Sequence, residues 1–240
     1  MTSMTSMTPQ GTDRRLLLFD IDGTLITSGG AGEGALKDAM ESRFGIQDDL
    51  SGVVLAGSTD ARIAAELLER AGIPHSPENA AALLDEYLHH LPRRLAGHNG
   101  RILPGIVELL EVLSVRPDCV LALLTGNLVR GAEIKLTHFG VWHFFEFGAF
   151  ADDHHDRNEL GHFARARALD RHGIDFPPES TYVIGDTPRD IECGRAIGAR
   201  TVAIATGIYS RTELAGHRPD FLFEDFSDTA AIVTALFGKS

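Results

Sequence analysis

"RLLLFDIDGTLITS", residues 15–28, drives an apolar run straight into two carboxylates. Leu16, Leu17, Leu18 and Phe19 read as a short buried strand, and Asp20 and Asp22 follow with only Ile21 between them. Carboxylates crowded at the end of a core strand raise one another's pKa unless a cation neutralises them. The stretch therefore marks either turn and helix caps or a charged site at a strand terminus, and the rest of the chain decides between the two.

The same apolar punctuation recurs downstream. "CVLALLT" (119–125), "FFEFGAF" (144–150), "TYVIGD" (181–186), "RTVAIAT" (200–206) and a short "FLFE" near 221 each read as a strand bounded by turn residues. Amphipathic helix candidates lie at 105–114, 128–139, 158–172, 188–197 and from about 228, with Pro104 and Pro188 where a first helical turn accepts proline. This alternation predicts an α/β fold, a doubly wound, Rossmann-like parallel sheet with helices on both faces. Residues 31–97 break it: three segments with helical apolar spacing follow one another with no strand between them, with Ser58 or Thr59 and Ser76 as caps. The expected organisation is a disordered tail at 1–13, a core of 14–27 plus 101–240, and an inserted all-helical subdomain at 28–100. The hinges would be "SGGAGEG" and the "GHNG" at 97–100.

Composition narrows the function. The 240 residues carry a formal charge of −12, which disfavours nucleic acid and anionic membranes as partners and leaves small molecules and proteins. No apolar run has the length of a membrane span, and the opening "MTSMTSMTPQGTD" lacks the basic head and apolar stretch of a secretory signal. The expectation is a cytoplasmic protein, monomeric or homodimeric, with Cys119 and Cys193 as reduced thiols.

In a parallel sheet the ligand crevice lies beyond the carboxyl ends of the strands, where Asp20 and Asp22 fall. Thr125 in "ALLTGN", Asp186 in "VIGDTPRD" and the stretch "ADDHHDRNE" end later strands in the same way. One aspartate alone would be read as a cap; a set delivered to one rim argues for a site. Oxygen donors without thiols or spaced histidines suit a hard cation, Mg²⁺ first. The "DDHHD" run at 152–156 is read as a solvated loop, since adjacent residues rarely converge on one ion.

"DIDGT" at 20–24, the Thr of "LLTGN" and "GDTPRD" at 185–190 resemble, in order, three signature motifs of the haloacid dehalogenase-like hydrolases. The helical insertion is similar to that superfamily's cap, and the likeness is strongest to the phosphoglycolate phosphatase-like members. The resemblance implies that Asp20 is a nucleophile forming an aspartyl-phosphate and Asp22 the general acid and base. It implies Mg²⁺ held by the Asp20 and Asp186 carboxylates and the Asp22 carbonyl, with Asp190 in support. Thr125 would offer its hydroxyl to phosphate, and Gly126 and Asn127 their N–H groups at a helix start. The superfamily adds a cation, commonly lysine, after its third strand. Lys37, Lys135 and Lys239 are the chain's only lysines, and the sequence places one in the cap, one mid-helix and one at the end. Arg157, in the right interval between Thr125 and Asp186, is the expected replacement, able to bridge phosphate and carboxylate with its planar fork. In "LAGSTDARI" (55–63), Ser58, Thr59 and Arg62 either meet the substrate's far end or cap the next helix.

The expected function is thus a Mg²⁺-dependent phosphatase of a small phosphomonoester, with 2-phosphoglycolate a candidate. The alternatives are a phosphosugar mutase, which shares cap and aspartates, and a non-enzymatic phospho-acceptor. The latter would place its phosphorylated Asp on a middle strand without a large cap.

Overall fold

The computed structural model describes residues 14–238, so the tail read at 1–13 lies outside the described residues. The chain enters on β1 (Arg15–Phe19) and a two-residue strand β2 (Ile26–Thr27), then forms α1 (Ala31–Phe44), α2 (Asp60–Arg70) and α3 (Pro77–Gly97) before returning on β3 (Arg101–Ile102). Next come α4 (Ile106–Ser114), β4 (Cys119–Leu124), α5 (Val129–His138), β5 (Gly148–Ala149) and α6 (Arg157–His172). The chain closes with β6 (Thr181–Gly185), α7 (Pro188–Ala196), β7 (Arg200–Ile204), α8 (Arg211–Gly216), β8 (Phe221–Phe223) and α9 (Thr229–Phe237).

Six strands pair in the order β5-β4-β1-β6-β7-β8, each pair parallel. β1 lies between β4 and β6, with Phe19 opposite both Leu123 and Ile184. Its run of four apolar residues has a simple cause: both faces of a central parallel strand are covered. Leu17 and Phe19 enter one core with residues of α4, α5 and α9, while Leu16 and Leu18 enter the other with residues of α6 and α7. Chain order reverses at β1, and a crevice opens there beyond the strand ends. The Asp20 amide still donates to the Ile184 carbonyl at 2.9 Å, so the ladder carries the chain right up to the first aspartate.

Helices α1 to α3 bury their own apolar cluster, including Ala35, Leu36, Met40, Leu67, Leu83 and Leu91. The two connections to them run side by side as an antiparallel ribbon, Ile26 opposite Ile102 and Thr27 opposite Arg101. The sequence carries no sign of that pairing, because two residues per strand leave no periodicity to read. The first hinge is also shorter than expected: the "AGEG" of "SGGAGEG" is the first turn of α1, leaving the break at Gly29 and Gly30, both with positive φ. The strand expected at 144–150 shrinks to Gly148 and Ala149 behind a 3-10 turn at Trp142–Phe144. Its aromatics serve packing instead, with Phe145 and Phe150 buried in the main core. Helix α8 escapes the apolar pattern through its brevity, although Ser210 and Glu213 form a capping box that marks its start.

Gly105, which starts α4, has φ +77°, and a Cβ there would lie 2.1 Å from the Phe226 carbonyl oxygen. Replacing it with alanine imposes left-handed strain of about 1–2 kcal/mol and forces two backbone segments apart. Gly105→Ala is expected to lower the free energy of urea unfolding by at least about 2 kcal/mol; a loss below ~0.5 kcal/mol would show the approach to be tolerant.

Candidate active site

Asp20, Asp186 and Asp190 bring carboxylate oxygens within 4.8 Å of one another, all three buried. Asp20 continues β1, Asp186 follows β6, and Asp190 sits in the first turn of α7. Between them comes Arg157, the first residue of α6, a helix capped by Asp156. Its Nη2 lies 2.8 Å from Asp20 Oδ1 and 2.5 Å from Asp190 Oδ1. One nitrogen, Nη2, makes both carboxylate contacts. The other Asp190 oxygen accepts from the Thr187 amide and hydroxyl at 2.9 and 2.7 Å.

Three carboxylates against one guanidinium leave the cluster short of positive charge. Burial pushes the Asp20 carboxyl up to about 6, opposed by Arg157 and aided by Asp190 and Asp22. Burial likewise holds Asp186 well above the ordinary carboxylate range, with Asp190 and Asp20 adding to it. Asp186 Oδ1 accepts from the Thr24 hydroxyl at 3.0 Å. Its carboxylate occupies space that only glycine leaves, since a Cβ at Gly23 or Gly207 would come within 2.4 or 1.7 Å of Asp186 Oδ2. A cradle of hard oxygens with excess negative charge fits a divalent cation.

A second group surrounds Asp22. The turn at Gly23, φ +85°, reorients the chain after it. Asp22 Oδ2 accepts from Lys135 Nζ at 2.5 Å and from Asn127 Nδ2 at 2.9 Å. Lys135 also donates to Asn127 Oδ1 at 2.6 Å. Thr125 Oγ1 accepts from the Asn127 amide (3.3 Å) and side chain (2.8 Å), which occupies both its lone pairs and leaves its proton free to donate. Lys135 is the functional residue that sequence reasoning misses. Burial works against its ammonium, but Asp22 foremost, with Asp60, outweighs that and holds it charged. A signal exists in the chain: Ala132, Lys135 and Leu136 share the i, i+3, i+4 face that α5 buries. A lysine on an apolar face is a partnered lysine.

The helical insertion covers these groups. A cavity of about 450 Å³ is bounded below by Asp20, Asp22, Asp186 and Asn127 and above by residues of α1, α2, α3 and the 55–58 loop. Ser58 reaches it, with its hydroxyl donating to Val54 O (2.5 Å) and accepting from Arg189. Thr59 and Arg62 do not. Thr59 accepts from the Arg62 amide at 3.3 Å as the N-cap of α2 and donates to the His155 carbonyl at 2.7 Å. Arg62 is exposed beside a separate crevice of about 90 Å³. Thr59 thus takes the capping role, and the Arg62 side chain is exposed. Gly126 meets the loop directly, since a Cβ there would lie 2.0 Å from the Ser58 carbonyl oxygen. Asp60, next to this contact, caps not its own helix but α5, accepting the Leu128 amide at 2.8 Å while its own amide donates to Gly126 O at 2.7 Å. The "DDHHD" run is structural: Asp152 accepts from the Val129 amide (2.7 Å), and Asp153 pairs with Arg167 (2.6 Å).

Known proteins resemble this chain in sequence and in fold. Residues 160–229 match the family model described as HAD-hydrolase-like. Probable phosphatase IndB of Dickeya dadantii (strain 3937) is 24% identical over 230 residues, spanning 94% of this chain and 96% of that one. A phosphoglycolate phosphatase of Haemophilus influenzae is 24% identical over 238 residues, spanning 92% and 99%. The crystal structure of a predicted phosphoglycolate phosphatase from Haemophilus somnus superposes with a TM-score of 0.70 at 20% identity, covering 92% of this chain and 99% of that one. These likenesses are to haloacid dehalogenase-like hydrolases and their phosphatases. Phosphoglycolate phosphatases are among the proteins that it resembles along nearly its whole length. Among the described residues no helix is long and apolar enough to cross a membrane.

Asp60 supplies a stability test. Burial raises its pKa from 3.8 to about 6, although Lys135 and the Leu128 amide pull it down. A carboxyl that holds its proton more tightly when folded contributes most at low pH, and that contribution is lost as pH climbs from about 4 through 6. Asp60→Asn keeps an acceptor for the Leu128 amide without the charge. It should gain on the parent by up to about 3 kcal/mol as urea unfolding is repeated from pH 4 to pH 7. A difference that stays flat with pH would exclude this account.

Proposed function

We propose that the protein is a Mg²⁺-dependent phosphatase that hydrolyses a small-molecule phosphomonoester in the cytoplasm through an aspartyl-phosphate on Asp20. Residues 14–27 and 101–240 would form its catalytic core and residues 28–100 its cap. The observation that carries this reading is the pairing of two separately held aspartates on one cavity floor. Asp20 lies 2.8 Å from Arg157, and Asp22, two residues on, lies 2.5 Å from Lys135.

Asp20 attacks phosphorus, and the ester oxygen departs with the bonding pair and takes a proton from Asp22. Water then attacks the phosphorus of the acyl phosphate while Asp22 accepts its proton, and Asp20 leaves as a free carboxylate. Arg157 keeps Asp20 oriented and charged, and Lys135 with Asn127 holds Asp22 in place. Thr125 donates its hydroxyl to a phosphate oxygen, and the Gly126 and Asn127 stretch closes the phosphate end of the cavity. Asp20 and Asp186, with Asp190 in support and the Asp22 carbonyl nearby, would hold Mg²⁺. When bound, the ion offsets the charge of the phosphoryl group and of the carboxylates around it.

A phosphosugar mutase would use the same aspartates. A product assay separates them, since a mutase returns an isomerised sugar phosphate and a phosphatase returns inorganic phosphate.

Asp20→Asn is expected to abolish phosphate release, because no covalent intermediate forms, whereas Asp22→Asn should lose roughly 10²–10⁴-fold. Full activity in Asp20→Asn would end the proposal. Chelator should remove activity, Mg²⁺ restore it and Ca²⁺ fail to, since calcium accepts a larger and looser ligand shell; turnover undiminished in excess chelator counts against the metal.

Arg157→Ala leaves the buried carboxylates uncompensated and should cost about 3–4 kcal/mol of transition-state stabilisation, on the scale of a lost oxyanion donor. Arg157→Lys should recover part of this in kcat/KM, because a single nitrogen makes both carboxylate contacts. Near-normal turnover in Arg157→Ala would remove Arg157 from the machinery.

A further inference from the structure

The part of the cavity beyond the phosphate end has its own chemistry. Leu36, Leu55, Ile63 and Ile208 line it with apolar surface, and Tyr87 and Glu33 also belong to the lining. Among the described residues that line the cavity, the cations are Lys135 and Arg157. Each is already committed to carboxylates. Lys135 is bound to Asp22 at 2.5 Å and faces Asp60, while Arg157 bridges Asp20 and Asp190. Lys37, the neighbouring cation on α1, pairs with Glu33 at 2.6 Å and is not part of the lining. A second anionic group on the substrate would therefore meet leucine, isoleucine, the Lys37-paired Glu33 and at most hydroxyls such as Ser28 and Thr206, with no unpaired cation among these lining residues to replace its lost hydration.

We infer that this cavity selects phosphate esters whose leaving alcohol is uncharged, with a carbon skeleton to pack on Leu36, Leu55 and Ile63, and disfavours esters whose alcohol carries a carboxylate. The inference rests on the phosphatase reading and separates this chain from an enzyme built for 2-phosphoglycolate. The selection comes from the cap side, where Glu33, Leu36 and Ile63 belong to α1 and α2, while the core groups treat every phosphomonoester alike.

Two pairs of substrates matched in size test it, assayed by phosphate release from the whole protein with Mg²⁺. They are 2-hydroxyethyl phosphate against 2-phosphoglycolate, and glycerol 1-phosphate against 3-phosphoglycerate. In each pair a CH₂OH replaces a carboxylate. The neutral member should show at least tenfold higher kcat/KM in both pairs, with much of the gap in KM, and Glu33→Gln should narrow the gap by improving the carboxylate member. Equal or better turnover of the carboxylate members overturns the inference and leaves the phosphatase reading standing. Failure to release phosphate from all four, and from p-nitrophenyl phosphate as well, overturns the phosphatase reading and the inference with it.

Discussion

The buried contact of Arg157 with Asp20 and Asp190 is what the rest of the site depends on. A central parallel strand can end in a carboxylate inside the protein only if a positive charge meets it there, since an isolated buried ion costs several kcal/mol. The guanidinium comes from the first turn of α6, Asp20 from the end of β1 and Asp190 from the start of α7, so three distant stretches of chain must assemble before any of the three charges is tolerable. One cation against three buried acids is still too little. That remaining deficit adds to the effect of burial in pushing Asp20 and Asp186 upward.

The second ion pair extends the same logic across the cavity. Lys135 holds Asp22 from α5, and α5 is in turn capped by Asp60 from the helical insertion. The insertion thus touches the helix that carries the cation beside the second aspartate. Gly126 lets the Ser58 backbone approach at this junction, and any side chain would push the two parts of the structure apart. Roof and floor of the cavity are fastened by the Asp60 amide on the Gly126 carbonyl and the Leu128 amide on the Asp60 carboxylate.

Much of this is legible in the chain. The apolar run at 16–19, its recurrences and the helices between them define a parallel sheet because a strand buried on both faces has to be apolar at every position. Asp20, Asp22, Thr125 and Asp186 can be placed at one rim because parallel strands all deliver their carboxyl ends to the same side. Arg157 is reached through its interval in the sequence, but its single-nitrogen bridge is not. The strand at 144–150 is overdrawn from sequence because aromatic residues suit both a strand and a core turn, and α8 goes unseen because six residues carry too little periodicity.

Local period and strand polarity are written in the order of the residues, and they suffice for the α/β core, the helical insertion and the edge at which the acids meet. The choice of partner for each charge belongs to the packed molecule. Lys135 in sequence is a mid-helix lysine more than a hundred residues from Asp22, and Asp60 is a first-turn acid that caps another helix. Thr59 and Arg62, equally fit in sequence for substrate or for capping, turn to capping and to solvent. Ion pairing falls off over a few ångströms, so it depends on distances that exist only after helices from separate parts of the chain have packed.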